Sequence, residues 1–312
     1  MRLAMLRRFA GSLLEALVVL ALLSTVVFLA LRLLPGDPSA LILGDHATAA
    51  ERAELRHRLH LDEPMYVQYA RFMKGLFSLS HGDSLRRPGV PAMARVGSAF
   101  WPTATLALLG TAMGALLGVT LSVLAVGPWL PKGRRRIVRF VDVLAATPLL
   151  AFAPALTYVL AVWARIVPLP GDPQSAFGGT LFASALLAIP LAAHVSRTTT
   201  AALTAILSSQ YLSVARAKGA SFVRTWVVHG LRSTTAPILT VVGSQLGALL
   251  GGAVVLERLF ERPGLGSLML EAYASRDLPV LEAAVFASGA LFVATQIATT
   301  AAQTMLDPRA RS

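Results

Sequence analysis

The stretch Ser233–Leu256, STTAPILTVVGSQLGALLGGAVVL, runs for 24 residues without a charged side chain. At about 1.5 Å per residue a helix needs roughly 20 apolar residues to cross a hydrocarbon core of about 30 Å, so this stretch reads as a membrane span. Five more runs in the chain meet the same test. Leu13–Leu31 carries only Glu15, and Val141–Val162 carries only Asp142 at its edge. Thr103–Val126, Ser175–Ser196 and Ala283–Leu306 carry no charge at all. Pro148, Pro154 and Pro190 interrupt two of these runs. A kink at each is tolerable where neighbouring helices or water satisfy the freed carbonyls.

Composition agrees with six spans. Of 312 residues, 55% are hydrophobic and 14% charged, whereas a soluble domain is about 25% charged. That excludes an ordinary soluble domain, and it excludes disorder. The absence of cysteine rules out disulfides, a thiol nucleophile and Cys-ligated metal. The first run follows Arg2, Arg7 and Arg8, as in a signal peptide. It is nevertheless longer than a signal core, and Arg32-Leu33-Leu34-Pro35-Gly36 is no small-residue cleavage site, so it reads as a retained helix. The expected fold is all-α: a polytopic membrane protein of six transmembrane helices, with a helical extracytoplasmic segment after the first.

The net charge of +12 could suggest nucleic acid as a partner, but its distribution argues against that. With the N-terminus inside, the cytoplasmic pieces hold fifteen Lys and Arg against one acid, Asp307. The outside pieces, residues 35–102, 163–174 and 257–279, balance at twelve of each sign. An excess of inner positive charge sets orientation, which gives an N-in, C-in topology.

The outside segment 35–102 is long enough to fold on itself. Ala47–Leu61 opens with Thr48 and Glu51 in capping-box spacing, and Tyr66–Leu79 is a second amphipathic candidate rich in aromatics. Such helices usually lie on the membrane or dock against the bundle. His46, His57, His60 and His81 also fall in this segment, but spacing alone does not make a metal site, and none is assigned.

The cytoplasmic stretch 198–235 contains no acid. Apolar positions at helical spacing run through Leu203, Ile206, Leu207 and Tyr211 to Val214 and Ala217. Gly219 then stands where a helix ends in the left-handed conformation, with Ser221 placed to cap a second helix through Val223, Trp226 and Val227 to Leu231. The result is a helical hairpin presenting Ala215, Ala217, Gly219 and Ala220 beside Arg216 and Lys218. Such a hairpin can enter a groove on a partner. It can equally be a basic connector that only fixes topology.

Together these pieces resemble the inner-membrane permease subunits of binding-protein-dependent ABC importers, in the dipeptide/oligopeptide/nickel class. The first helix ends in that class's Leu33-Leu34-Pro35-Gly36-Asp37-Pro38. Leu59-His60-Leu61-Asp62-Glu63-Pro64 and Gln68-Tyr69 follow in order. Ala215-Arg216-Ala217-Lys218-Gly219 looks like the class's form of the coupling loop, and Glu257–Gly266 matches E-x-x-F-x-x-P-G-L-G. Arg276-Asp277-Leu278-Pro279 and Leu306-Asp307-Pro308-Arg309 match its ending. Two departures stand out: Ser213-Val214-Ala215 replaces the superfamily's Glu-Ala-Ala, and Thr300 and Gln303 stand where the class often has Asp and Tyr.

The resemblance implies three parts: residues 1–34 as tail and first span, 35–102 as the extracytoplasmic segment, and 103–312 as a five-helix permease core with its coupling helix near 204–235. It also implies a homologous second permease, two ATPase subunits binding ATP and Mg, a substrate-binding protein, surrounding membrane lipid and no nucleic acid. The location is a bacterial inner membrane. Residues 215–220 would take up force from the ATPase, and the solute would be a peptide or, alternatively, nickel or another small solute. The residues support a non-catalytic chain that binds no cofactor: Lys74, Lys132 and Lys218 sit in MKG, PKG and AKG, none of them the Gly-Lys-Ser/Thr of a phosphate loop. An ion-coupled carrier is the rival reading, yet it wants ionisable groups at mid-membrane, where the spans hold neutral Thr240, Ser244, Gln245 and Gln296. An intramembrane hydrolase would need Ser244 and His194 as a pair. His194 instead reads as the cytoplasmic end of its helix. Gly243, Gly247, Gly251 and Gly252 recur at near-helical spacing, for close packing or to line the pathway with Thr240, Ser244 and Gln245.

Overall fold

The computed structural model describes residues 2–33, 39, 43, 47–127, 133–172, 176–219, 221 and 225–306. Leu34–Pro38, His46, Lys132, Ala220, Val223, Arg224 and the terminal Asp307–Arg309 lie outside the described residues. The regular elements of the described chain are helices, with one isolated antiparallel bridge between Asp83 and Pro91. We number the helices α1 (Arg2–Leu33), α2 (Ala49–Arg58), α3 (Met65–Ser78), α4 (Ala92–Val126), α5 (Arg134–Ala146) and α6 (Leu149–Thr157). They continue as α7 (Ala176–Leu207), α8 (Gln210–Ala217), α9 (Arg232–Leu259), α10 (Leu265–Ala274) and α11 (Leu278–Leu306). Two π-helical stretches, Tyr158–Trp163 and Thr225–Leu231, extend α6 and precede α9.

Helices α4, α7, α9 and α11 are long and apolar enough to cross a bilayer. In α1 the apolar part is shorter, Leu17–Ala30. The third run departs from expectation. Val141–Val162 is not one helix: α5 ends at Ala146, Pro148 caps α6, and the two axes are bent by 105°. A residue before proline is pushed out of the helical region, and Thr147 is extended, at φ −90° and ψ 120°. Val141 and Asp142 therefore belong to a separate amphipathic helix. Among the described residues four helices qualify as spans, or five with the bent pair; a count of six requires both α6 with its π-helical extension and the shorter apolar α1 to cross.

The chain divides into two units, Arg2–Ala104 with Arg262–Val293 and Thr105–Glu261 with Ala294–Ser312. The first, which we call the N-terminal unit, has two apolar clusters. One joins Val96 and Ala99 of α4, Leu265 and Leu268 of α10, and Val280 and Ala284 of α11. The other sets Phe72 and Leu76 of α3 against Phe28 of α1, with Tyr69 and Phe286 at its edge. Thus α3 docks on the bundle through its aromatic face, and the Tyr69 and Thr25 hydroxyls share a hydrogen bond of 2.8 Å. The capping box forms as read: Thr48 Oγ1 accepts from Glu51 N–H, and Thr48 N–H donates to Glu51 Oε2 at 2.8 Å. Those bonds favour the charged carboxylate and hold the Glu51 pKa below its ordinary value.

Charged groups add a second layer in this unit. Asp277 is fully buried, which a carboxylate tolerates only when it is paired and hydrogen-bonded. Its Oδ1 accepts from Leu85 N–H at 3.0 Å, the Ser84 hydroxyl donates to Oδ2, and Arg95 lies 3.6 Å away. Arg32 Nη1 donates to Glu282 Oε1 at 2.9 Å while its guanidinium stands 3.8 Å over the Phe28 ring. His81 lines a cavity of about 750 Å³ with Arg32, Gln68 and Arg71, and burial lowers its pKa.

The second, central unit packs differently. Lipid tails are as apolar as leucine, so helices there associate through close fit. Gly110, Gly114 and Gly118 form a stripe on α4 against Leu187, Leu191 and Val195 of α7. A Cβ at Gly118 would lie 2.7 Å from the Ala192 carbonyl oxygen. Hydroxyls turn back on their own helices, as Ser122 does to the Gly118 carbonyl and Thr157 to that of Ala153.

Candidate functional site

Helix α7 runs to Leu207, well past the Ser196 boundary of its apolar run, and so carries the candidate coupling loop on a rigid stem. Ser208 and Ser209 form a turn, and α8 follows. Leu203 and Leu212 are fully buried and Trp226 nearly so; the π-helical stretch packs on both α7 and α8. One side of the loop is thus anchored. Its tip is not: Ser213, Val214, Ala217, Lys218 and Gly219 are exposed, Val214 at 53%. Gly219 has φ +83°, the left-handed conformation expected from its place after Lys218. Ala215 and Arg216 lie on α8 within the same turn. The second helix of the hairpin is seen from Thr225 onward, where Thr225 N–H donates to the Ser221 carbonyl at 2.9 Å.

The polar residues proposed from sequence for the pathway fall into two groups. Thr240 and Ser244 are exposed, one turn apart on α9, in line with exposed Gly247, Ala248 and Gly251. Thr240 Oγ1 accepts from Gln303 Nε2 at 3.2 Å, which gives the Gln303 departure a physical role: it joins α11 to α9. Thr300 is exposed beside it, its hydroxyl donating to the Gln296 carbonyl. Gln245 instead lines a cavity of about 330 Å³ bounded by α6, α7 and α9, with His194, Pro148, Pro190 and Gly251.

His194 does not mark a helix end; it stands thirteen residues before Leu207, in α7. The Ser244 hydroxyl donates to the Val241 carbonyl at 2.9 Å, as a serine in a membrane helix commonly does, and Ser244 is not among the residues lining the cavity that holds His194. The glycines of α9 divide in the same way. A Cβ at Gly243 would come within 2.7 Å of Thr299 and one at Gly252 within 2.8 Å of Leu149, so these two serve packing, whereas Gly251 meets open space. Sequence reading missed the α4 glycine stripe, although its four-residue period was visible. It also missed the Asp277 centre, whose partners lie almost two hundred residues away.

Comparison with known proteins accounts for nearly the whole chain. Residues 110–312 match the binding-protein-dependent transport system inner membrane component, and residues 3–106 match the N-terminal part of such membrane components. A probable peptide ABC transporter permease protein, y4tP, of Sinorhizobium fredii is 31% identical over 96% of this chain and 97% of its own length. The glutathione transport system permease protein GsiC of Escherichia coli K12 is 32% identical over 94% of both chains. Among solved structures, a chain of the MetNI methionine ABC transporter, in inward-facing conformations, superposes with a TM-score of 0.58 at 16% identity. That match covers 69% of this chain and 97% of the MetNI chain. These matches leave no place for the ion-coupled carrier or the hydrolase: the chain belongs to the family of binding-protein-dependent transport system inner membrane components, as a permease subunit of an ABC importer.

Proposed function

We propose that this permease carries peptides, delivered by a substrate-binding protein, across a bacterial inner membrane, and that it does so paired with a homologous second permease. Two ATPase subunits, which hold the ATP and Mg, drive it. The chain itself is non-catalytic. The names of y4tP and GsiC support a peptide-type solute; nickel or another small solute is the alternative that uptake assays separate. Residues 35–102 form the extracytoplasmic segment and 103–312 the permease core. Uptake of a labelled dipeptide, of glutathione and of Ni²⁺ into proteoliposomes containing the complete transporter decides among them. Ni²⁺ uptake without peptide uptake would overturn the peptide assignment.

The observation that carries the mechanism is the exposed loop tip on a buried anchor. Ala215, Arg216, Ala217, Lys218, Gly219 and Ala220 would seat in a groove of the ATPase, with small residues allowing close approach and the cations at the rim. Closure of the two ATPases on ATP would then move the loop and, through α7, reopen the pathway to the other side. The neutral polar stripe of Thr240 and Ser244 would face that pathway, with Gln245 behind it, because exposed polar groups suit water or a second subunit better than lipid. Arg216→Glu with Lys218→Glu should separate ATP hydrolysis from uptake while leaving the protein in the membrane. Unchanged transport in that pair would remove the coupling role.

A further inference from the structure

Helix α5 carries charge that its surroundings do not neutralise. Arg134, Arg135, Arg136 and Arg139 are exposed, and among the described residues none of the four has a side-chain partner. The one acid of the helix, Asp142, lies 3.6 Å from Arg197. One side of α5 packs on α7, with Val141 buried and Ile137 and Leu144 half-buried. The other side is open and carries exposed apolar side chains: Phe140 is 55% exposed and Val143 62%. Positions 136, 139, 140 and 143 share a face at helical spacing, so free guanidinium groups and an exposed ring stand together. Water suits the arginines but not the ring, and hydrocarbon suits the ring but not the arginines.

A bilayer interface suits both. The 105° bend between α5 and the helix that follows supplies the orientation: a crossing α6 leaves α5 near the membrane plane. We propose that α5 is an interfacial helix that binds acidic phospholipid headgroups of the cytoplasmic leaflet. Its arginines would meet the phosphates, and Phe140 and Val143 would reach the upper acyl chains. Four cations within six residues complement an anionic surface, and each basic residue near such a surface is worth roughly a fivefold gain in affinity. The proposal rests on the N-in topology.

The cysteine-free chain makes the test direct. Phe140→Cys carrying a fluorophore is reconstituted in the complete transporter, its other subunits stripped of cysteine, in vesicles of mixed phosphatidylglycerol and phosphatidylcholine. Nitroxide-bearing phosphatidylglycerol should quench the probe about two- to fivefold more than nitroxide-bearing phosphatidylcholine at equal mole fraction. The excess should vanish at high salt or with Arg135→Gln and Arg139→Gln. Equal quenching by the two lipids overturns the proposal. A probe out of reach of both lipids but shielded by the ATPase subunits overturns it too and gives the face to a protein. A label at Tyr66→Cys, 75% exposed in segment 35–102 and away from the loop assigned to the ATPase, checks topology separately: reaction with an impermeant maleimide only in right-side-out vesicles confirms it. Reaction from the other side would withdraw the cytoplasmic leaflet while leaving any lipid preference standing.

Discussion

The N-terminal unit and the central unit are held together by different chemistry. In the first, buried charge is closed into networks: Asp277 gathers Ser84, Leu85 and Arg95, and Arg32 joins Glu282 to Phe28. In the second, the contacts are between backbones and apolar side chains, and hydroxyls mostly satisfy their own helices. Each solution follows from its solvent. Water competes for any charge that is incompletely paired, so buried charge persists only where every partner is met, whereas lipid offers no hydrophobic drive and rewards close fit.

The sharpest way to break the contrast is at Asp277. Asp277→Ala leaves the Ser84 hydroxyl and the Leu85 N–H without their acceptor, while Arg95 keeps Glu271 at 2.9 Å. It should cost about 2–4 kcal/mol, seen as a lower melting temperature in detergent and early proteolysis of residues 79–91. Asp277→Asn, which keeps an acceptor for Leu85, should cost less. A melting temperature equal to the parent's in Asp277→Ala would mean that charge does not hold this unit. The matching test of the central unit is Gly118→Ala. The added methyl meets the Ala192 backbone, and a loss of about 1–3 kcal/mol is expected by the same melt. A neutral result would show slack between α4 and α7.

Smaller effects sharpen the comparison. The Gln303–Thr240 bond is a polar tie between helices of a unit held mostly by fit. A double-mutant cycle between Gln303→Ala and Thr240→Ala should return a coupling of about 0.6 kcal/mol, typical of such bonds between membrane helices. Zero coupling would return Gln303 to the unexplained departures. The smallest effect concerns pH. Burial puts the His81 pKa below its ordinary 6.5 in the folded protein, so the neutral ring is favoured there. As pH falls through about 6.5 the unfolded chain takes up a proton that the folded chain resists, and stability is lost on the acid side. Melts at pH 7.5 and 5.5 should therefore differ more in the parent than in His81→Gln; an equal difference would remove His81 as a contributor.

Local rules made much of this legible. Ser233–Leu256 reads as a span because the bilayer asks only for length and apolarity, and Thr48 with Glu51 announces a helix start because both bonds lie within four residues. Gly219 takes its left-handed turn for the same reason. The third span was misread because hydropathy averages over Thr147-Pro148, where the chain turns, and so fused the amphipathic α5 to the apolar α6. His194 was misplaced because the end of an apolar run is not the end of a helix: α7 continues for eleven residues past Ser196. The Asp277 centre and the Gln303 tie depend on segments far apart in the chain, and no window of sequence holds both halves of either.

The glycine stripe on α4 has a consequence for motion. With Gly114 and Gly118 seated against the Leu191 side chain and the Ala192 carbonyl, sliding α4 along α7 would drive residues of α4 that carry a Cβ into that side chain and that peptide oxygen. The two helices are keyed, like a shaft in its slot. A push delivered at Leu207 by the proposed coupling loop would therefore not be absorbed between them. It would travel the length of α7 with α4 as passenger, and the give would come elsewhere, at joints such as the Thr147-Pro148 elbow.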